Sequence, residues 1–346
     1  MMSGTVKEAL ATVTARKDLA EKEAEAAMNE VMEGRATPAQ IAAFLTALKM
    51  KGETVDEITG FARVMRAKAH TIRPGRGPLI DTCGTGGDGA NTFNISTAAA
   101  FVVAGAGLPV AKHGNRAASS RCGSADLLEA LGVRIDLTPA EVEGCIESTG
   151  LGFLFAPQFH QAMKHAAAPR RELGIRTVFN VLGPLTNPAH AQLQLLGVYH
   201  ASLTGLLAEV LGRLGVREAF VVHGLDGVDE ISISAPTRVA HLREGRVSEF
   251  VITPEDAGLM RLPDRRAIAG GDAAYNARLV LDVLKGEKGP CRTAVTLNAA
   301  AALQLGGLAD DLRQGVRLAE EVIDAGEAYQ ALCTLRQYTN SCRKAV

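Results

Sequence analysis

Along residues 1 to about 70, apolar positions recur at helical spacing. Leu10, Val13 and Leu19 begin the pattern, and Ala24, Ala27, Met28 and Val31 continue it, so each helix has one face to bury. "ATPAQIAAFLTALKMKG" places Thr37 as an N-cap, Pro38 at the first helical position and Gly52 as a stop. "TVDEITGFARVMRAKA" predicts a third helix, capped by Thr54 with Glu57 as its capping-box partner. The stretch "TIRPGRGP", dense in Pro and Gly, marks a boundary.

From Leu79 the texture changes to short apolar runs that alternate with helical patterns. "PLIDT", "LPVAK", "VRIDL", "GFLFA", "QLLGVY" and "AFVVHG" read as buried strands. "STAAAFVVAGAG", "SADLLEALG", "PAEVEGCIESTG" and "SLTGLLAEVLGRLG" read as the helices between them. The alternation predicts an α/β fold with a mostly parallel central sheet flanked by helices on both faces. Residues 160 to 188, "HQAMKHAAAPRRELGIRTVFNVLGPLTNP", interrupt it with a further helix and a Pro/Gly/Asn-rich loop.

Charge narrows the function. With 37 basic and 38 acidic residues the net charge is −1, which argues against nucleic acid or a polybasic membrane surface as partner. The N-terminus mixes Lys, Glu, Arg and Asp among its apolar residues and does not read as a signal peptide. No run of about eighteen apolar residues offers a membrane span. Six scattered cysteines include no CxxC pair, so neither a disulfide framework nor a zinc site is expected, and a reducing cytoplasm is the natural home. Cys83 has no histidine or other base beside it in sequence, and an inert thiol is preferred over a reactive one.

The candidate chemistry begins at "DTCGTGGDGANTFNIST", residues 81 to 97. A strand, a glycine loop and a helix start make an anion site, because glycine lets backbone N–H groups approach phosphate and the helix N-terminus adds positive potential. Ser96 and Thr97 are available to cap the helix or to donate hydroxyls. An ordinary tight turn is the alternative reading. Neither GxGxxG nor Gly-Lys-Ser/Thr is present, so the dinucleotide fingerprint and the P-loop fall away.

A second polar loop, "KHGNRAASSRCGSADLLEALG" (112 to 132), follows the next strand at the edge where parallel sheets bind ligands. Two such loops suit a ligand with two separated phosphate groups. His113 reads first as a structural hydrogen-bonding group and second as a general base. In "VVHGLDGVDEIS", Asp229 and Glu230 end a third loop on the same edge. They read either as a solvated turn or, with phosphates, as a hard-oxygen site for Mg²⁺. Gly270-Gly271-Asp272 lacks the strand before it and the Asn-Ile-Ser-Thr after it, and reads as a loop.

"GTGGD", "NIST", "KHGNR", "NVLGPLTNP" and the Asp-Glu of "VDE", in this order, resemble the anthranilate phosphoribosyltransferases of tryptophan biosynthesis. The resemblance covers nearly the whole chain. It implies a small discontinuous helical domain (1–74 and 160–188) beside a large α/β domain (75–159 and 189–346), and a homodimer paired through the helical domains. It implies that Gly84, Gly87, Asp88, Thr92, Asn94, Ile95, Ser96 and Thr97 line the phosphoribosyl pyrophosphate site. Lys112, His113, Gly114, Asn115, Arg116, Ala117, Ala118, Ser119, Ser120 and Ser124 would hold the rest of that substrate. Gly84, Asn115 and Arg170 would contact anthranilate, and Ser96, Asp229 and Glu230 would serve two Mg²⁺ ions per subunit. No residue is assigned as general acid or base. Around the arginine the family commonly reads Pro-Val-Arg, whereas this chain reads Ala168-Pro169-Arg170.

Two other functions fit less well. A nucleoside phosphorylase on the same fold would need a phosphate site tuned for attack on a nucleoside, and the Lys-His-Gly-Asn-Arg loop does not resemble that family's. A non-catalytic relative that binds nucleic acid should be basic and lack part of the loop set.

Overall fold

The protein is described by a computed structural model over residues 5–117 and 121–342. Four helices come first: α1 (Val6–Thr14), α2 (Glu21–Met32), α3 (Pro38–Lys51) and α4 (Val55–Lys68). Their ends follow the sequence signals. Thr37 and Thr54 each accept a backbone N–H three residues on, in reciprocal capping boxes with Gln40 and Glu57. Gly52 ends α3 with φ +89°, a conformation that a side chain would strain.

The large unit then runs β1 (Ile80–Gly84), α5 (Ile95–Gly105), β2 (Val110–Gly114), α6 (Ser124–Ala130), α7 (Pro139–Thr149), β3 (Leu151–Phe155) and the short α8 (Ala156–Phe159). The inserted segment contributes α9 (Lys164–Leu173) and α10 (Phe179–Leu182). The chain continues through β4 (Leu193–Gly197), α11 (Leu203–Arg213), β5 (Glu218–Gly224), β6 (Thr237–Arg243) and β7 (Arg246–Ile252). It ends in α12 (Ala273–Leu284), α13 (Pro290–Leu305), α14 (Leu312–Asp324) and α15 (Glu327–Ser341).

The seven strands lie in the order β3-β2-β1-β4-β5-β6-β7, parallel through β5 and antiparallel for the last two. Order reverses between β1 and β4, so a crevice opens beyond their C-terminal ends. One face packs on α5 and α12–α15 around Phe101, Val222 and Leu297. The other packs on α11, and its core runs on without a break into α1–α4 through Leu196, Leu211, Phe61 and Leu182.

Two expectations fail. "VRIDL" is not a strand: Val133, Ile135 and Leu137 are buried in alternation, yet the segment joins no ladder. Period-two burial arises wherever an extended segment lies against a core, with or without a hydrogen-bonded neighbour. Conversely, the β6–β7 hairpin was not foreseen. Its turn is Glu244-Gly245 with φ of +51° and +74°, a two-residue turn of the type that hairpins favour. The alternating "TRVAHLR" was the available signal.

The chain passes between the helical bundle and the sheet unit near residues 70–72, 159–160 and 188. These passages lie side by side and are bonded to each other. His70 N–H donates to Phe159 O at 2.9 Å, and Ile72 N–H to Pro188 O at 3.2 Å. α9 packs on α2 and α3, and α10 on α4.

Candidate active site

β1 ends at Gly84 and β4 at Gly197, neighbours in the ladder. A Cβ on Gly84 would stand 2.6 Å from Asp229 Oδ2, and one on Gly197 would overlap the Asp229 carbonyl oxygen. Bare backbone at both strand ends therefore lets the loop after β5 enter the crevice and bring its carboxylates to the glycine loop. Asp229 Oδ2 accepts the Gly86 N–H at 2.7 Å, and Asp88 Oδ2 accepts the Asp229 N–H at 3.2 Å. Glu230 Oε1 accepts the Ser96 N–H at 3.2 Å, in the first turn of α5. Two carboxylates thus sit on the backbone donors of the glycine loop and of the helix N-terminus.

Crowding raises their proton affinity. Burial, then the neighbouring Asp88, lifts Asp229 to about 7. Burial and the Asp229 charge lift Glu230 well above its ordinary value, with Lys112 opposing. The solvated-turn reading of this pair is excluded, since Glu230 is only 9% exposed. Among the described residues no three histidine, cysteine or carboxylate side chains converge to hold a metal alone. Crowded carboxylates short of counter-charge fit a hard cation that brings other ligands with it, as Mg²⁺ does with substrate oxygens.

The first turn of α5 differs in detail from expectation. Its N-cap is Asn94, and Ser96 and Thr97 lie inside the helix, so neither caps it. The Asn94 side chain ties the loop before α6 to helix α12, donating to Cys122 O and accepting from Asn276 Nδ2. Thr97 and Ile95 are buried, while Ser96 is half-buried at the crevice. Thr92 pairs in an isolated bridge with Ala269, and Gly270 N–H donates to Asn91 O. The Gly270–Asp272 loop therefore buttresses the glycine loop, and Asp272 caps α12.

Lys112 is buried beneath this turn, its Nζ 2.5 Å from Thr82 O and 3.5 Å from Ser96 Oγ. Burial pulls its pKa down, with Asp81 opposing. His113 Nδ1 meets Gly183 O at 3.1 Å, and burial, then His160, pushes the ring down to about 3. So weak a base is not poised to take a proton near neutrality, which favours the structural reading of His113 over the general-base one. Asn115 and Gly114 follow at the end of β2, and Ser124 Oγ donates to Asn115 O. Asp126 accepts the Ala117 N–H, while Arg116 turns to Asp126 and Glu129. Ala118, Ser119 and Ser120 lie outside the described residues. Cys83 is buried against Gln194, and burial raises its thiol well above the ordinary range, which makes it inert.

Arg170 is half-buried on α9, its Cζ 4.8 Å from the Phe179 ring centroid and without an ion pair among the described residues. Burial lowers its pKa. Arg171 is exposed. Among the described residues no hydrogen bond joins Arg170 to Gly84 or Asn115. What does reach the glycine loop from the inserted segment is Arg176, which lies against Gly87. Sequence reasoning missed it.

Comparison with known proteins covers nearly the whole chain. Residues 7–69 match the helical bundle domain of the glycosyl transferase family, and residues 76–329 match its α/β domain. An anthranilate phosphoribosyltransferase of Symbiobacterium thermophilum is 60% identical over 98% of this chain and 99% of its own. The crystal structure of the Thermus thermophilus enzyme of that name superposes with a TM-score of 0.90 at 46% identity, covering 96% of this chain and 99% of that one. The Saccharomyces cerevisiae enzyme, solved with phosphoribosyl pyrophosphate and Mg, gives 0.89 at 29% identity, covering 97% and 98%. The yeast enzyme has also been solved with 4-fluoroanthranilate, at 0.87 and 28%, covering 98% and 99%.

Proposed function

The chain belongs to the anthranilate phosphoribosyltransferase family, and from that membership we propose how its crevice carries the reaction. The enzyme transfers the 5-phosphoribosyl group from phosphoribosyl pyrophosphate to the amine of anthranilate. The products are N-(5-phosphoribosyl)anthranilate and pyrophosphate, in the second step of tryptophan biosynthesis from chorismate. It works with Mg²⁺.

The amine lone pair forms the bond to the anomeric carbon as the bond to pyrophosphate breaks. The aromatic amine is already neutral near pH 7, so a strong general base is unnecessary. That suits a site where burial, then the neighbouring His160, holds His113 neutral. What remains is positioning and charge neutralisation. The loop from Gly84 to Asp88 with the α5 N-terminus cradles the phosphates, supported by Thr92, Asn94, Lys112, Asn115 and Ser124. Ser96, Asp229 and Glu230 would hold the Mg²⁺, two ions per subunit. When bound, the metal supplies Lewis-acid neutralisation of the leaving group. Arg170, with Gly84 and Asn115, receives the anthranilate carboxylate.

The observation that carries this reading is the seating of Asp229 and Glu230 on the glycine loop and helix N-terminus at the switch point. Residues 1–74 with 160–188 form the small helical domain, and 75–159 with 189–346 the large one; the packing of α9 on α2 and α3 supports that division. Two subunits pair through the helical domains, in the cytoplasm. No helix among the described residues is long and apolar enough to cross a membrane. Purified protein given phosphoribosyl pyrophosphate, Mg²⁺ and anthranilate should quench anthranilate fluorescence. Unchanged fluorescence with phosphorolysis of a nucleoside would overturn the reading in favour of the phosphorylase.

A further inference from the structure

The cradle is short of positive charge. Its ligand brings a phosphate and a pyrophosphate, and Asp88, Asp229 and Glu230 stand beside them. Of the cations on β2 and in the loop after it, Arg121 is exposed and Arg116 is engaged by Asp126 and Glu129. Lys112 is buried under the first turn of α5 with its ammonium on Thr82 O. Neither Arg116 nor Lys112 lies freely over the glycine loop.

Arg176 does. It is exposed, and its side chain carries no ion pair or hydrogen bond among the described residues. Its Cζ sits 4.6 Å from the Tyr199 ring centroid. A Cβ placed on Gly87 would meet Nη2 at 2.8 Å, Cζ at 3.1 Å and Nε at 3.2 Å. Three such similar distances mean that the guanidinium presents its face to Gly87. Tyr199 is itself fixed to the loop, since its N–H donates to Thr85 Oγ1 at 3.1 Å and Thr85 N–H to Gly197 O at 2.9 Å. A guanidinium that lies against both an aromatic ring and bare backbone, with no protein acceptor among the described residues, keeps its N–H donors available to an anion on the loop.

We propose that Arg176 binds the pyrophosphate of phosphoribosyl pyrophosphate and neutralises the charge that builds on it as it departs, with Tyr199 as its positioning residue. This rests on the phosphoribosyl-transfer reading. In the step, the anthranilate nitrogen gains the ribose carbon and gives up a proton to solvent. The electron pair of the broken C–O bond goes to pyrophosphate, onto which Arg176 donates. Because Arg176 comes from the inserted segment, the anion site is built by both parts of the chain.

The test compares Arg176→Ala, Arg176→Lys, Tyr199→Leu and the exposed control Arg171→Ala, each checked for an unchanged thermal melt. Steady-state rates are taken against both substrates, and Mg²⁺-pyrophosphate is titrated calorimetrically. Arg176→Ala should weaken pyrophosphate binding and raise KM for phosphoribosyl pyrophosphate by about ten- to a hundred-fold, the usual worth of a charge-assisted hydrogen bond. KM for anthranilate should stay put. Arg176→Lys should recover part of the loss, and Tyr199→Leu should show a smaller loss on the same substrate. Pyrophosphate affinity equal to the parent's in Arg176→Ala, or a loss confined to anthranilate, overturns the proposal. A parent that neither turns over nor binds pyrophosphate would instead overturn the transfer reading beneath it.

Discussion

Gly87 shows how much a missing side chain can specify. Its φ is +72°, and the space where a Cβ would project is filled by Arg176. Gly87→Val should add about 1 to 2 kcal/mol of backbone strain and push the arginine off its ring. Use of phosphoribosyl pyrophosphate should collapse while circular dichroism stays native; unaltered kinetics would refute the cradle. Asp229→Ala with Glu230→Ala removes hard oxygen ligands, so activity should need more Mg²⁺ and reach a lower maximum. Mg²⁺ titrations that overlay the parent's would refute the metal role. For Arg170→Ala, loss of a hydrogen bond to a charged group predicts about 1.5 to 3 kcal/mol, roughly ten- to a hundred-fold in kcat/KM for anthranilate. Arg171→Ala should do little, and two arginine variants that behave alike would remove Arg170 from the acceptor site. The glycines and the Asp-Glu pair were legible because each carries its meaning in local composition. Arg176 was not, because the residues that give it a role, Gly87 and Tyr199, are distant in sequence.

Among the elements, those with local end signals were read correctly. The helices after Thr37 and Thr54 are examples, since caps and stops act within four residues. "VRIDL" and the β6–β7 hairpin were misread because strand identity depends on a partner that the segment itself does not contain. The end of β2 carries a further expectation. His113 and His160, with ring centroids 5.1 Å apart, are held by burial down to about 3 and about 4. In the unfolded chain both titrate near 6.5, so unfolding at lower pH takes up protons. Their contribution is complete above roughly pH 6.5 and falls as pH drops towards the folded values, by at most about 1.4 kcal/mol per pH unit for each histidine. His160→Gln should therefore flatten the decline of melting temperature between pH 7 and pH 5. Parallel profiles for parent and variant would show that burial of this pair is not what acid attacks.

At the scale of the molecule, the switch point between β1 and β4 opens the crevice to which the chemistry is assigned, and the α/β alternation made that edge legible from the sequence. Which face would carry the helical bundle was not legible, since both faces of a parallel sheet are equally apolar. If two subunits pair through the helical domains, sedimentation should give twice the chain's mass at micromolar concentration; a single-chain mass would refute the pairing. The three passages between bundle and sheet unit, clasped by His70 to Phe159 and Ile72 to Pro188, have a mechanical meaning. A body hung on one tether can swivel and slide, but a body hung on a band of parallel straps can only flex across the band. If the bundle moves against the sheet, that band would favour one angle of motion, and the segment carrying Arg170 and Arg176 would travel with it.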